Sequence, residues 1–406
     1  MKIIIQRQLK HLALGALVAA ISYSARAQLS IPYADGSDNV LIVSNSITID
    51  LSQAVTGNWT NSSSYAGKGI YDPTQWAVVF KYSSVVISNG AVLSFANHAT
   101  HAPVVWLVSS NVTINGELSL DGQGVTGDPV HLPEPGPGGF RGGGGPTYGA
   151  GNGFGPAGGG PNNSSGFYAG YYGNPQILPL IGGSGGGGYG GGSGANGAAG
   201  GGAILIAASG TIAINNYAHA NGGTGYYQNG SGGGIRLVAN QIQGSGTIQA
   251  LGGSNGGAGG VGRIRLEGNT VTNGLFINPN SGTVQPANPA VIFPPNNAPI
   301  VNIVNIGGVT NASFPDPKAA MNSSGNDDVI LSTTNTVTVL LQTLNFPTNG
   351  VLNVYFKPRN APQTILQAVF DNGTTNLANW HVTAPPGVVN YGINQGHTVI
   401  QARAAY

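Results

Sequence analysis

The chain has 406 residues, of which 69 are Gly and 25 Pro, while Asp, Glu, Lys and Arg together make up only 7%, against roughly 25% in an ordinary globular protein. That excludes an average cytosolic enzyme, yet the 40% hydrophobic content supplies enough apolar material for a core and excludes wholesale disorder. Cysteine is absent, which removes disulfide frameworks, Cys-ligated zinc, iron–sulfur clusters and thiol nucleophiles together.

Lys2, Arg7 and Lys10 precede the apolar stretch 12–21, and Ala25-Arg26-Ala27 then offers small residues at both specificity positions of a cleavage site. Residues 1–27 therefore read as a secretory signal peptide. A membrane anchor needs about 20 apolar residues, and this run stops at Ser22. No transmembrane segment is expected after cleavage. An Ala-x-Ala site without a lipobox cysteine fits a bacterial export substrate, placed in the extracellular space or on the outer cell surface. With the leader removed, ten basic residues face thirteen acidic ones, a net charge of −3, so no nucleic-acid partner is expected.

Internal repetition organises residues 28–285. Residues 104–122 match residues 204–222 at a constant offset of 100, with Val104, Ile114 and Asp121-Gly122 over Ile204, Ile214 and Asn221-Gly222. A further copy starts at Ile235 and Leu237, another at Ile264 and Leu266, and an earlier one is read around Val78, Phe80, Val86, Val92 and Phe95. Each alternates apolar and polar residues over short runs bounded by Asn-Gly or Gly-Gly, the pattern of half-buried strands and tight turns. Such repeats fit coils of a parallel β-solenoid, whose inward residues stack at about 4.8 Å. Val40, Ile42, Ile47 and Ile49 are expected to start the stack.

The offset of 100 marks an insertion over 123–202, and residues 122–202 contain 34 Gly. Two readings stand. One is a surface loop, because glycine runs lose the most entropy on ordering. The other is an ordered lattice of extended, polyproline-II-like segments packed closely where no Cβ intervenes. A strict Gly-X-Y period is missing, which excludes collagen. Residues 286–299, with Pro286, Pro289, Pro294, Pro295 and Pro299, read as a stiff linker. Beyond it, residues 336–346, Asn349-Gly350 and 351–356 predict a β-hairpin. Further strands are expected at 365–370, 380–383 and 398–402, so that 300–406 form an immunoglobulin-like β-sandwich with Trp380 in its core.

The string Gly-Ala-Ala-Gly-Gly-Gly-Ala-Ile-Leu-Ile-Ala over 197–207, its echo Gly-Gly-Gly-Ile-Arg-Leu-Val-Ala over 232–239, and the glycine phrase over 135–145 resemble Gly-rich secreted bacterial proteins of right-handed parallel β-helix, pectin-lyase-like fold. The resemblance covers about residues 76–275. It implies a β-helix and an extracellular or cell-surface location, and it carries no activity across.

Hydrolysis of a polysaccharide on such a scaffold needs clustered carboxylates, and none occurs between Glu134 and Glu267. The alternative catalytic cluster is Asp121, Asp128, His131, Glu134 and Arg141, near Glu117, at the root of the insertion. There a carboxylate would serve as acid or base, and Arg141 would counter substrate charge. Against it, Asp121 suits a turn before Gly122 and the others suit solvation. No metal site or cofactor is expected. The repeated Gly-Gly-x-Gly-x-Asp calcium motif needs an Asp in every turn, and His98 and His101 lack a third ligand beside them.

Half of the 16 tyrosines fall in the glycine-rich section: Tyr148, Tyr168, Tyr171, Tyr172, Tyr189, Tyr217, Tyr226 and Tyr227. Among them Tyr171, Tyr172, Tyr189, Tyr226 and Tyr227 are the candidates to stack on sugars, with affinity built from repeated weak contacts; alternatively the rings fill space that glycine leaves empty. The sequence thus predicts an exported, non-catalytic structural or adhesion protein contacting extracellular polysaccharide or cell-envelope glycan. A polysaccharide lyase or glycoside hydrolase is the alternative.

Overall fold

The computed structural model describes residues 29–55, 58–59, 69–125, 133–144, 153–155, 158–159, 175–189, 195–226, 228–255, 259–272, 274–293, 297–310, 335–358, 364–386, 388 and 398–405. The expected leader, 1–27, lies outside them. The fold is essentially all-β, with one short 3-10 turn among the described residues, at Leu51–Gln53, that Asp50 caps by accepting from the Ser52 N–H at 3.0 Å.

Two sheets are built by parallel pairing. One runs through Val40–Val43, Ser84–Ile87, Val112–Ile114, Ala203–Ile214, Gly234–Gln243, Arg263–Val271 and Thr283–Val284, joined by Ala77–Phe80 and Val104–Val108. The other orders Ile47–Asp50, Val92–Ala96, Glu117–Ser119, Tyr217–His219, Thr247–Gln249 and Phe276–Asn278. The repeat offset is the strand register: Val104 pairs with Ile204, Val112 with Ile212 and Glu117 with Tyr217. Ile204 continues to Ile235 and Ile264. Val104, Ile204, Ile235 and Ile264, like Val112 and Ile212, are buried one above another in a single core with Leu93, Leu118, Ala218 and Ile248, each Leu or Ile contributing about 1.5–3 kcal/mol by leaving water.

The phase differs from expectation at the early copies. Leu41 and Val43 face the core, whereas Val40 and Ile42 are exposed, and the inward residues of the next strands are Val85, Ile87 and Leu93 rather than Val86 and Val92. In Val-Leu-Ile-Val and Val-Val-Ile both parities are apolar, so alternation does not choose a face.

The described glycine-rich residues form a hydrogen-bonded lattice. Gly197 and Gly200 donate to Gly143 and Phe140; Ala198 and Gly201 donate to Gln228 and Ser231; Ala199 and Gly202 donate to Gln123 and Leu120. Successive N–H groups of segment 197–202 thus address three neighbours in rotation, which is the three-residue turn of a polyproline-II-type chain. Segment 140–143 donates to 183–186, which in turn donates to 198–201. Glycine is required because the backbone itself fills the space. A Cβ on Gly186 would enter the carbonyl of Gln228, and one on Gly197 the carbonyl of Gly186.

The outer face of the first sheet presents Val105, Leu205, Leu107, Ala207 and Val238 to a second apolar cluster with Leu29, Ile31, Ala290 and Ile292. Residues 286–293, within the expected linker, therefore lie as a strap on the sheet, held by Ala290 N–H to Ser30 O at 2.9 Å and Ser30 N–H to Asn288 Oδ1 at 3.1 Å. Arg236, also buried, donates to Val291 O at 2.7 Å and to Glu267 at 2.8 Å, and Arg265 donates to the same carboxylate oxygen at 2.7 Å.

The remaining strands are antiparallel. Val309–Thr310, Ile300–Ile306, Val337–Leu344, Leu377–Ala384 and Val369–Thr374 form one sheet; Thr364–Gln367, Val351–Pro358 and Thr398–Ala405 form another. The expected hairpin is not made, because Val337–Leu344 and Val351–Pro358 belong to different sheets. The connection passes Phe346, fully buried in one cluster with Val339, Leu341, Leu352, Val354, Phe356 and Trp380. Trp380 lies in this core and its indole N–H donates to Thr343 Oγ1 at 2.9 Å.

Candidate functional site

Of the tyrosines singled out, Tyr171, Tyr172 and Tyr227 lie outside the described residues, as do Tyr148 and Tyr168. Tyr189 is half-buried, its N–H donating to Ala195 O at 2.9 Å, and Tyr226 is 65% exposed. Val125 N–H donates to Thr224 O at 2.9 Å, two residues before Tyr226. Asn229 holds the layer, accepting from Gly225 N–H at 2.8 Å and donating to Asn255 O at 2.9 Å.

Asp128 and His131 of the acidic cluster also fall outside the described residues; Asp121, Glu134 and Arg141 fall within them. Asp121 is engaged by His219 Nδ1 at 2.8 Å and by Asn221 N–H at 2.5 Å. The far nitrogen of the ring, Nε2, meets Glu117 Oε1 at 2.9 Å. The Nδ1 contact has the separation of an ion pair without the angle of a hydrogen bond. Burial alone would push the His219 pKa down, but the close carboxylates of Asp121 and Glu117 outweigh it and raise the pKa above the ordinary imidazole value. His219 was missed in the sequence, although the offset of 100 contained it: it pairs with Ser119, midway between Glu117 and Asp121.

Glu134 and Arg141 belong instead to the surroundings of His101. Asn97 donates to Pro135 O at 2.8 Å and weakly to Glu134 Oε2 at 3.4 Å. Burial pushes His101 down to about 4, with the Glu134 charge opposing and Arg141 and His98 assisting. Both ring nitrogens of His98 are used, Nδ1 with Thr100 Oγ1 at 2.8 Å and Nε2 with Ala54 O at 3.0 Å, and its ring stacks on Tyr71 at 4.4 Å. Among the described residues, no three His, Asp or Glu side chains converge as metal ligands, and no helix is long and apolar enough to cross a membrane.

Chemically, Glu117, His219 and Asp121 form a clasp across two neighbouring strands that keeps a net negative charge even with the imidazole protonated. Its outward neighbours are Tyr217, 42% exposed and edge-on to His219 at 6.1 Å, then Thr247 and Phe276 in the same register. No family model, curated protein or solved structure matches the chain.

Proposed function

We propose that this protein is an exported, extracellular or cell-surface structural or adhesion protein that contacts polysaccharide without cleaving it. In this reading the two parallel sheets are the walls of a β-solenoid, a reading supported by the in-register stacking of Val104, Ile204, Ile235 and Ile264. The antiparallel strands beyond residue 300 are read as an immunoglobulin-like sandwich, on the support of one core shared by both sheets. The relationship to Gly-rich secreted β-helix proteins belongs to the same proposal.

The observation that carries the function is the glycine lattice with exposed Tyr226 next to Gly225, whose N–H donates to Asn229. A backbone whose amides are bonded to three neighbours loses little further entropy on binding, and a tyrosine held on it offers a flat face and a hydroxyl at low ordering cost. Low charge suits a neutral partner. A second reading, a polysaccharide lyase or hydrolase, is favoured only by the raised pKa of His219 between two carboxylates, which would make it a proton donor near neutral pH.

The test incubates the purified protein with plant, algal and bacterial polysaccharides and measures retention on the insoluble polymer together with new reducing or unsaturated ends. Retention without new ends is expected. Release of ends that disappears in Asp121→Ala would replace the binding role with an enzyme, and the absence of both signals would leave no glycan role.

A further inference from the structure

The outer face of the six-stranded sheet carries two parallel columns of side chains. One runs Glu117, Tyr217, Thr247, Phe276; the other, two residues on, runs Ser119, His219, Gln249, Asn278. The intervening Leu118, Ala218 and Ile248 point into the core, so pleating fixes both columns outward.

Tyr217 and Phe276 are 42% and 59% exposed. A single strand separates them, which sets their backbones about 10 Å apart. Large rings left in water in one register, beside neutral hydrogen-bonding groups, mark a contact surface rather than scattered surface apolarity. The edge-on contact with His219 fixes the Tyr217 ring, and His219 is itself held between Glu117 and Asp121. Neither column contains Lys or Arg, and its carboxylate, Glu117, faces outward at one end. A polyanion would meet repulsion there and no counter-charge beyond one histidine.

We infer that this face is a platform for a neutral polysaccharide chain running across the strands, its sugar rings stacked on Tyr217 and Phe276 and its hydroxyls bonded to Thr247 and Gln249. The inference rests on the glycan-contact reading above and moves the principal contact from the lattice tyrosines to the sheet.

The experiment measures depletion of the purified protein from solution by cellulose, a neutral polymer, and by calcium-crosslinked polygalacturonate, an acidic one, for the wild type, Tyr217→Ala, Phe276→Ala, the double variant and, at an exposed tyrosine outside both columns, Tyr33→Ala. The expected result is stronger retention on cellulose, a loss of several-fold for each single platform variant and more than tenfold for the double variant, with Tyr33→Ala close to wild type. Tyr217→Phe and Phe276→Tyr, which keep the rings, should retain binding, and far-UV circular dichroism checks that each variant is folded. Cellulose retention unchanged in the double variant, or stronger retention on polygalacturonate, overturns the platform while leaving glycan contact standing. Retention on neither polymer overturns the platform; retention then found elsewhere in the polysaccharide panel would keep the wider reading alive.

Discussion

The carbonyl of Gly186 occupies the space into which a side chain on Gly197 would project, while the N–H of Gly186 donates to Ala198 O at 2.8 Å. The two segments are therefore as close as backbones can pack. Gly197→Ala must push them apart, and overpacking of this kind costs about 1–3 kcal/mol. Gly282, which has open space around its missing Cβ, is the control: Gly282→Ala should stay within about 0.5 kcal/mol of the wild type. Urea unfolding midpoints compare the two.

Two histidines should tilt the pH dependence of stability in opposite directions. The folded pKa of His219 is raised above 6.5, so its contribution is complete below 6.5 and is lost as pH rises through the folded value. That of His101 is lowered to about 4. Between 6.5 and 4 the unfolded chain takes up a proton that the folded chain refuses, and stability falls as pH drops. Thermal unfolding from pH 4 to 9 should show His219→Gln flattening the alkaline loss and His101→Asn reducing the acid one. Asn suits position 101, whose φ of 52° is left-handed. Opposite slopes in either variant would contradict the assignment.

Glu267 accepts from both Arg236 and Arg265. Despite burial, which raises it, the two guanidinium groups lower its pKa. Glu267→Gln leaves Arg236, 3% exposed, without a counter-charge, and breaking such a buried pair costs about 3–5 kcal/mol. The strap should loosen at the same time, because Arg236 also holds Val291 and Ile292. Limited proteolysis near residue 290 reads the strap, and denaturant unfolding reads the stability.

Among the antiparallel strands, Thr343→Val keeps the shape of the side chain but removes the acceptor of the buried Trp380 N–H. An unsatisfied buried donor costs about 1–3 kcal/mol. The variant should unfold at lower denaturant with the tryptophan fluorescence of the folded state little shifted; an unchanged midpoint would show that the bond carries no stability.

The parallel register was legible in the sequence because identical environments in successive repeats select similar residues, so Val104 over Ile204 could be read directly. The facing of Val40 and Ile42 was not, since an all-apolar run satisfies either face. The hairpin at Asn349-Gly350 misled for a related reason. The turn signal is local, whereas the burial of Phe346 in a cluster with residues of both sheets is not. His219 entered the site only through a partner strand, and no spacing within one strand marks it. The glycine lattice left no side-chain period to read at all, because its three-residue order resides in backbone N–H and C=O groups.

Hydrogen exchange at the amides of 183–186 and 197–202 tests the central claim most directly, namely that these glycine-rich segments form an ordered lattice within the folded body. The structure predicts protection comparable with that of strand Ala203–Ile214, lost only with global unfolding. Exchange at the rate of an open chain, with Ala203–Ile214 still protected, would show these segments to be loose and remove the rigid support on which the reading of Tyr226 as a glycan contact depends.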